Sequence, residues 1–247
     1  MDAIKAASIQ ERYEHTLERI EQAARVAGRD PASVKLVVVT KGHPLPSIQA
    51  VLEAGARRLG ENYVEEALEK MGASPPAAPG SPAPEWHMIG HVQSRKAQAV
   101  SERFSWLHSL DSLKLAKRLD RFAGQAGRRL PVLLECNVSG EESKFGLQAA
   151  EEGRWADLYP QVEGILALPN LEVRGLMTMA PFLPEPEQAR PFFRRLRRLQ
   201  EHLGQKFPEA GWEELSMGMS ADYEVAVQEG ATLVRVGTAI MGERPAH

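Results

Sequence analysis

The chain contains one cysteine, Cys136, so no disulfide can form within it. It lies in the apolar run 131–138, where a small buried hydrophobe is expected rather than a reactive thiol. The first residues, MDAIKAASIQERYEH, have no apolar stretch of the kind a signal peptide or membrane anchor needs. A cytoplasmic protein with no membrane association is therefore expected. A large excess of one sign of charge is missing too. The formal net charge of -3 gives no general attraction to nucleic acid or anionic lipid, so a bound phosphate must be held by local groups. No G-x-G-x-x-G follows the first strand-like run, which argues against a dinucleotide-binding open sheet. Metal-ligand spacing is also missing. His87 and His91 stand i,i+4, but they flank the Ile-Gly end of a strand-like run, where that spacing does not bring them together.

The chain does contain short β-branched or apolar runs alternating with longer amphipathic segments, the pattern of β/α units around a parallel sheet. A helix comes first, with Ile9, Tyr13, Leu17, Ile20, Ala24 and Ala27 at helical spacing and Gly28 and Pro31 ending it. Strand-like runs follow at 34–41, 57–62, 86–90, 106–110, 131–138, 173–179, 214–217 and 233–236. The clearest helical patterns between them are Leu115, Leu119, Phe122, Ala126 and Phe192, Leu196, Leu199, Leu203. These elements predict an α/β fold: a single (β/α)₈ TIM barrel over residues 1–247 with an extra N-terminal helix. A proline-rich stretch at 73–84 reads as a surface loop. Arg194, Arg195, Arg197 and Arg198 read as the solvated face of a helix that also carries Glu187 and Glu201.

In such a barrel the active face is built by the loops after the strands, and phosphate usually sits after the last two. The seventh run leads into Ser216, Met217, Gly218, Met219 and Ser220, and the eighth into Gly237 and Thr238. Small residues, free amides and hydroxyls there can cradle a phosphate. Ser220 equally suits a helix N-cap, and Met217 either lines the pocket or packs beneath the loop. Lys41 ends the apolar run Leu36-Val37-Val38-Val39-Thr40. Burial there lowers an amine's pKa and yields the neutral form that attacks an aldehyde, whereas a lysine projecting past the strand into water would do nothing of the kind. Position alone leaves both readings open.

Several stretches carry a resemblance: VVVTK (37–41), GENYVEEA (60–67), WHMIGHVQSRK (86–96), HSLDS (108–112), NVSGEESKFGL (137–147), GLMTMAP (175–181) and LSMGMSADYEVAVQEGATLVRVGTAIMG (215–242). In that order they closely resemble the YggS/PROSC family of pyridoxal phosphate homeostasis proteins over nearly the full chain. The resemblance implies that Lys41 carries pyridoxal 5′-phosphate (PLP) as a Schiff base. It further implies that Asn62 borders the ring, that Ser216, Ser220, Gly237 and Thr238 hold the phosphate, and that Arg235 faces the pyridine nitrogen. An arginine there keeps that nitrogen unprotonated and makes the ring a poor electron sink. The alternative for Arg235 is an ion pair with an acid on the barrel rim. His87 either packs near the cofactor or donates a hydrogen bond. Departures from the family pattern are the 73–84 loop, Arg95 and Phe145.

The implied function is control of intracellular PLP, a form of vitamin B6, by a monomeric binder without catalytic turnover, with PLP-dependent apoenzymes as candidate recipients and no nucleic-acid or metal partner. Two enzyme readings compete. An amino-acid racemase would share the barrel, but racemases of that type add a β-domain and an opposing tyrosine base, neither of which can be placed here. A Schiff-base aldolase or sugar-phosphate isomerase also puts lysine and phosphate sites at a barrel's top.

Overall fold

The computed structural model describes residues 3–73 and 83–244. Most of the proline-rich loop therefore lies outside the described residues. Parallel strands β1 (Lys35–Val39), β2 (Arg58–Glu61), β3 (Glu85–Met88), β4 (Trp106–Leu110) and β5 (Leu130–Asn137) run side by side. β7 (Leu171–Met177), β8 (Glu214–Ser216) and β9 (Leu233–Val236) continue the sheet, and β9 returns to β1 to close an eight-stranded α/β barrel. The two-residue strand β6 (Leu147–Gln148), too short to leave a periodic signal, hangs on the outer side of the ring beside β5.

Helices α2 (Leu45–Glu53), α3 (Val64–Ala73), α4 (Ala97–Arg103), α5 (Leu113–Gln125), α6 (Tyr159–Leu166), α7 (Arg190–Lys206) and α8 (Tyr223–Gln228) follow successive strands, and α9 (Thr238–Met241) ends the described fold. Each buries one stripe. In α7, Phe193, Leu196, Leu199 and Leu203 are fully buried, each contributing roughly 1.5–3 kcal/mol by leaving water. Phe192, expected on that stripe, is only partly buried, because the apolar face is centred one position further along. Ser112 starts α5 by accepting a hydrogen bond from the Leu115 amide at 3.3 Å, an N-cap.

The extra helix α1 (Ala3–Val26) lies across α2, α8 and α9. Its buried face is Ile9, Tyr13, Thr16, Ile20, Ala23 and Ala24, while Leu17 is 40% exposed. Arg12 Nε donates to the Ile240 carbonyl at 2.6 Å and so ties α1 to the strand-end region. The arginines of α7 are not simply solvated. Arg194 and Arg197 meet the carboxylate of Glu229 at the end of α8, Arg195 donates to the Val138 carbonyl at 2.6 Å, and Arg198 pairs with Glu152. Cys136 is buried as expected, and burial raises its thiol far above the reactive range.

The lumen is layered. Because successive strand residues alternate between lumen and helix layer, Val37, Leu133, Met177 and Leu233 form a small apolar layer inside the ring with Trp106 against it. Toward the N-terminal mouth come ion pairs, Lys35 with Glu214 and Arg58 with Glu85 at 3.1 Å. Toward the C-terminal mouth the lumen turns polar, and the candidate site begins.

Candidate cofactor site

Val37 and Val39 of β1 both approach Gly60 from the lumen side, and Lys41 is the next position of that parity. β1 lies between Gly237 of the β9 end, whose backbone sits against Val39, and β2, which leads into Asn62. Lys41 is half-buried, and among the described residues its amine makes no hydrogen bond or ion pair. Burial is the larger cause that lowers its pKa, and the Arg244 guanidinium adds to it, while Glu61 and Glu66 oppose. A larger neutral fraction at physiological pH results, which is the form a carbonyl-seeking amine needs.

The turn that presents Lys41 is anchored from behind. Thr40 Oγ1 donates to Glu61 Oε1 at 2.7 Å. Lys70 Nζ, from α3, donates to the same oxygen at 2.6 Å, to Glu66 Oε1 at 2.6 Å and to the Thr40 carbonyl at 2.7 Å. Glu66 accepts from the Gly42 amide. Glu61 is fully buried, and burial, ahead of the opposing Lys70, raises its pKa. Sequence reading missed this cluster, although Glu66 and Lys70 stand i,i+4 on one helix face.

Asn62 carries a buried Oδ1 with no hydrogen-bond partner among the described residues. Its backbone is approached so closely by Gly90 that a Cβ there would stand 2.3 Å from the Asn62 carbonyl, so only glycine fits. An unmet buried acceptor on the rim of a polar cavity calls for a ligand donor.

Across the β8 and β9 ends, Ser220 Oγ accepts from the Gly237 amide at 3.2 Å and the Ala239 amide at 3.3 Å. Among the described residues the Ser220 and Thr238 amides make no bond, and Thr238 is exposed. Asp222 Oδ1, accepting from the Met219 amide at 2.6 Å, fixes the loop. At Gly218, φ is 92°, and a Cβ would stand 2.5 Å from that of Ala226, so the loop can lie on α8 only without a side chain. Amides and hydroxyls thus converge where an anion would sit, with Ala239 added to the expected set.

Deeper in the lumen, Arg235 is fully buried and donates from Nη1 to Ser216 Oγ at 2.6 Å and from Nη2 to the Thr178 carbonyl at 2.8 Å. Burial lowers its pKa to about 10, so it remains a cation near neutral pH. Ser216 Oγ is also shared with His108 Nδ1 at 2.8 Å, which places Ser216 beside Arg235. Met217, of opposite parity, is fully buried in the core between sheet and helices. His87 bonds His108 at 2.8 Å, whereas His91 pairs with Asp111 at 3.0 Å and stacks on Phe145, ring centroids 3.9 Å apart. Among the described residues no cluster suits a metal ion.

Glu135 sits on β5, opposite β1 in the strand ring, and its Oε2 is buried without a partner. Burial first, and Asp111 second, raise its pKa to about 7 against the pull of Arg235. The folded state therefore favours the protonated acid. Its contribution to stability is present below the unfolded value near 4.5 and is lost as pH rises through about 7. Glu135→Gln, which keeps the shape of the protonated acid, is expected to stabilise the fold by about 1–3 kcal/mol at pH 8 and hardly at pH 4. Urea unfolding at both pH values checks this, and an equal gain at each would refute it.

The donor set fits PLP: a partly neutral amine for an aldehyde, convergent amides and hydroxyls for a phosphate, a buried cation at the far end and an unmet acceptor between. Comparison with known proteins bears on the same point. Residues 11–245 match the family model described as alanine racemase, N-terminal domain. Over 237 residues the chain is 40% identical to the pyridoxal phosphate homeostasis protein of Vibrio cholerae, spanning 96% of this chain and 97% of that one. The chain belongs to the pyridoxal phosphate homeostasis protein family. PipY of Synechococcus elongatus, solved with PLP bound, is 37% identical and superposes with a TM-score of 0.75 over 91% of this chain and 100% of that one. An alanine racemase from Streptomyces lavendulae, 19% identical, has a TM-score of 0.67 over 98% of this chain but 58% of that one, a likeness of fold alone. Among the described residues no helix is long and apolar enough to cross a membrane.

Proposed function

We propose that the chain, read as one barrel domain, binds PLP as a Schiff base on Lys41 and serves intracellular PLP homeostasis. The observation that carries this reading is the half-buried Lys41 amine, unbonded among the described residues, at the same barrel mouth as the turn of Ser220, Gly237, Thr238 and Ala239. PLP supplies an aldehyde for covalent attachment and a phosphate dianion for that turn. Arg235 faces the ring nitrogen as a hydrogen-bond donor, Asn62 borders the ring, and Ser216 holds Arg235 in place. Met217 stiffens the loop from below.

With a cation rather than a carboxylate opposite the ring nitrogen, the site weakens the ring as an electron sink. The proposed setting is the cytoplasm, the proposed state a monomer and the proposed recipients PLP-dependent apoenzymes.

Borohydride reduction of the PLP-loaded protein followed by peptide mass spectrometry tests the attachment. The expected label is a pyridoxyl group on Lys41, and a label confined to other lysines overturns it. A second test separates the two ends of the ligand. Thr238→Val is expected to weaken PLP about tenfold, the value of a hydrogen bond to a charged group, while leaving phosphate-free pyridoxal nearly unaffected. Absorbance titration reads both, and equal losses would contradict the phosphate assignment.

A further inference from the structure

A line of polar side chains runs down the barrel lumen from Arg235 to the opposite mouth. Arg235 Nη1 to Ser216 Oγ is 2.6 Å, Ser216 Oγ to His108 Nδ1 is 2.8 Å, and His108 Nε2 to His87 Nδ1 is 2.8 Å. His87 Nε2 makes no hydrogen bond among the described residues but faces Glu85 Oε2 at 3.6 Å, a charge contact longer than a hydrogen bond, and Glu85, half-exposed on the first residue of β3, pairs with Arg58. Ser216, His108, His87 and Arg235 are each at least 96% buried. Four strands contribute: β9, β8, β4 and β3.

The upper end of this line sets its most economical direction. A guanidinium has only donors, so Ser216 Oγ accepts from Arg235; giving its single proton to His108 Nδ1 is the arrangement that leaves no hydroxyl proton unmet among the described residues. A neutral His108 with an accepting Nδ1 carries its proton on Nε2 and gives it to His87 Nδ1. By the same logic His87 carries its proton on Nε2, aimed at the carboxylate of Glu85. Burial holds both imidazoles neutral, His108 further down than His87, with Arg235 reinforcing the first effect and Arg58 and Lys35 the second. Trp106 stacks parallel to His87 at 5.9 Å and closes the remaining side.

We propose that His87, His108 and Ser216 form a one-way hydrogen-bond relay that, facing the Glu85 carboxylate at its far end, orients the Arg235 guanidinium from the other end of the barrel. Glu85 is thereby a positioning residue for the cofactor site without touching it. The proposal rests on the assignment of Arg235 to the ring nitrogen. Three hydrogen bonds in line, with the last imidazole N–H facing a carboxylate of opposite polarity at 3.6 Å, favour a unit over unrelated packing contacts.

Nitrogen-15 NMR of histidine-labelled full-length protein, with and without PLP, reads the tautomers directly. Signals are assigned with His87→Gln and His108→Gln. The expected result is that both rings stay neutral with the proton on Nε2 from pH 6 to pH 9. A proton on Nδ1 of either ring, or titration of either within that range, overturns the relay.

The second measurement is PLP release from Glu85→Leu, followed by the decay of visible absorbance and by that band's pH profile. Release up to about fivefold faster and a displaced profile are expected, the top of the scale for a part-exposed charge contact. Glu85→Gln, which keeps the shape but not the charge, is expected to release PLP faster than the parent as well. If Glu85→Leu only lowers the melting temperature, with release and profile unchanged, Glu85 is merely structural and the proposal fails. If borohydride never labels Lys41, the cofactor assignment fails by itself, because the tautomers are read on PLP-free protein as well.

Discussion

Lys41→Ala is expected to remove the visible absorption band of lysine-bound PLP completely, with the unfolding midpoint nearly unchanged. The amine makes no hydrogen bond or ion pair among the described residues, so its loss leaves no buried partner behind. Its backbone is held independently by the cluster of Thr40, Glu61, Glu66 and Lys70. PLP can still be gripped by the turn of Ser220 and Gly237 and by Arg235, but reversibly, and dialysis is expected to remove it. Absorbance before and after dialysis, beside a thermal melt, decides the matter. A band that survives the substitution would place the covalent link elsewhere.

Lys70→Met is expected to have the largest effect on stability. Lys70 is 7% exposed and neutralises Glu61, which is fully buried and whose Oε2 already lacks a partner. Removing the cation leaves an uncompensated buried carboxylate, a loss of about 3–5 kcal/mol. The midpoint of unfolding should fall on the order of 10 °C for a chain of this size. The sign with pH follows from Glu61, whose folded pKa is raised: the acid form suits the fold, so the loss shrinks toward acid and grows as pH rises through the folded value. The double variant Glu61→Gln/Lys70→Met should recover much of the loss. Urea unfolding at pH 5 and pH 8 measures all three chains, and a loss below about 1 kcal/mol at pH 8 would refute the account.

The eight strands of the ring were legible in the sequence because parallel strands covered by helices on one face and a filled lumen on the other are written as short apolar runs. Boundaries moved by a residue or two, most at β7, where the run 173–179 became Leu171–Met177. Lys41, Asn62, Ser220, Gly237 and Thr238 lie at the C-terminal ends of the strands because each follows a strand within a few residues, and that order is visible in one dimension. What could not be read was contact between distant segments. His108 meets Ser216 across 108 residues and Thr178 meets Arg235 across 57, with nothing local to announce either. His108 gave a faint cue, a histidine of the same parity as Trp106 within a strand. Phe145, a departure from the family pattern, is accommodated by stacking on His91, a pairing that depends on tertiary geometry.

The N-terminal end of the lumen is stoppered twice, by the layer of Val37, Leu133, Met177, Leu233 and Trp106 and by the ion pairs of Lys35 with Glu214 and Arg58 with Glu85. Among the described residues, a molecule lodged above that plug can come and go only by the C-terminal mouth, so arrival and departure exclude one another in time.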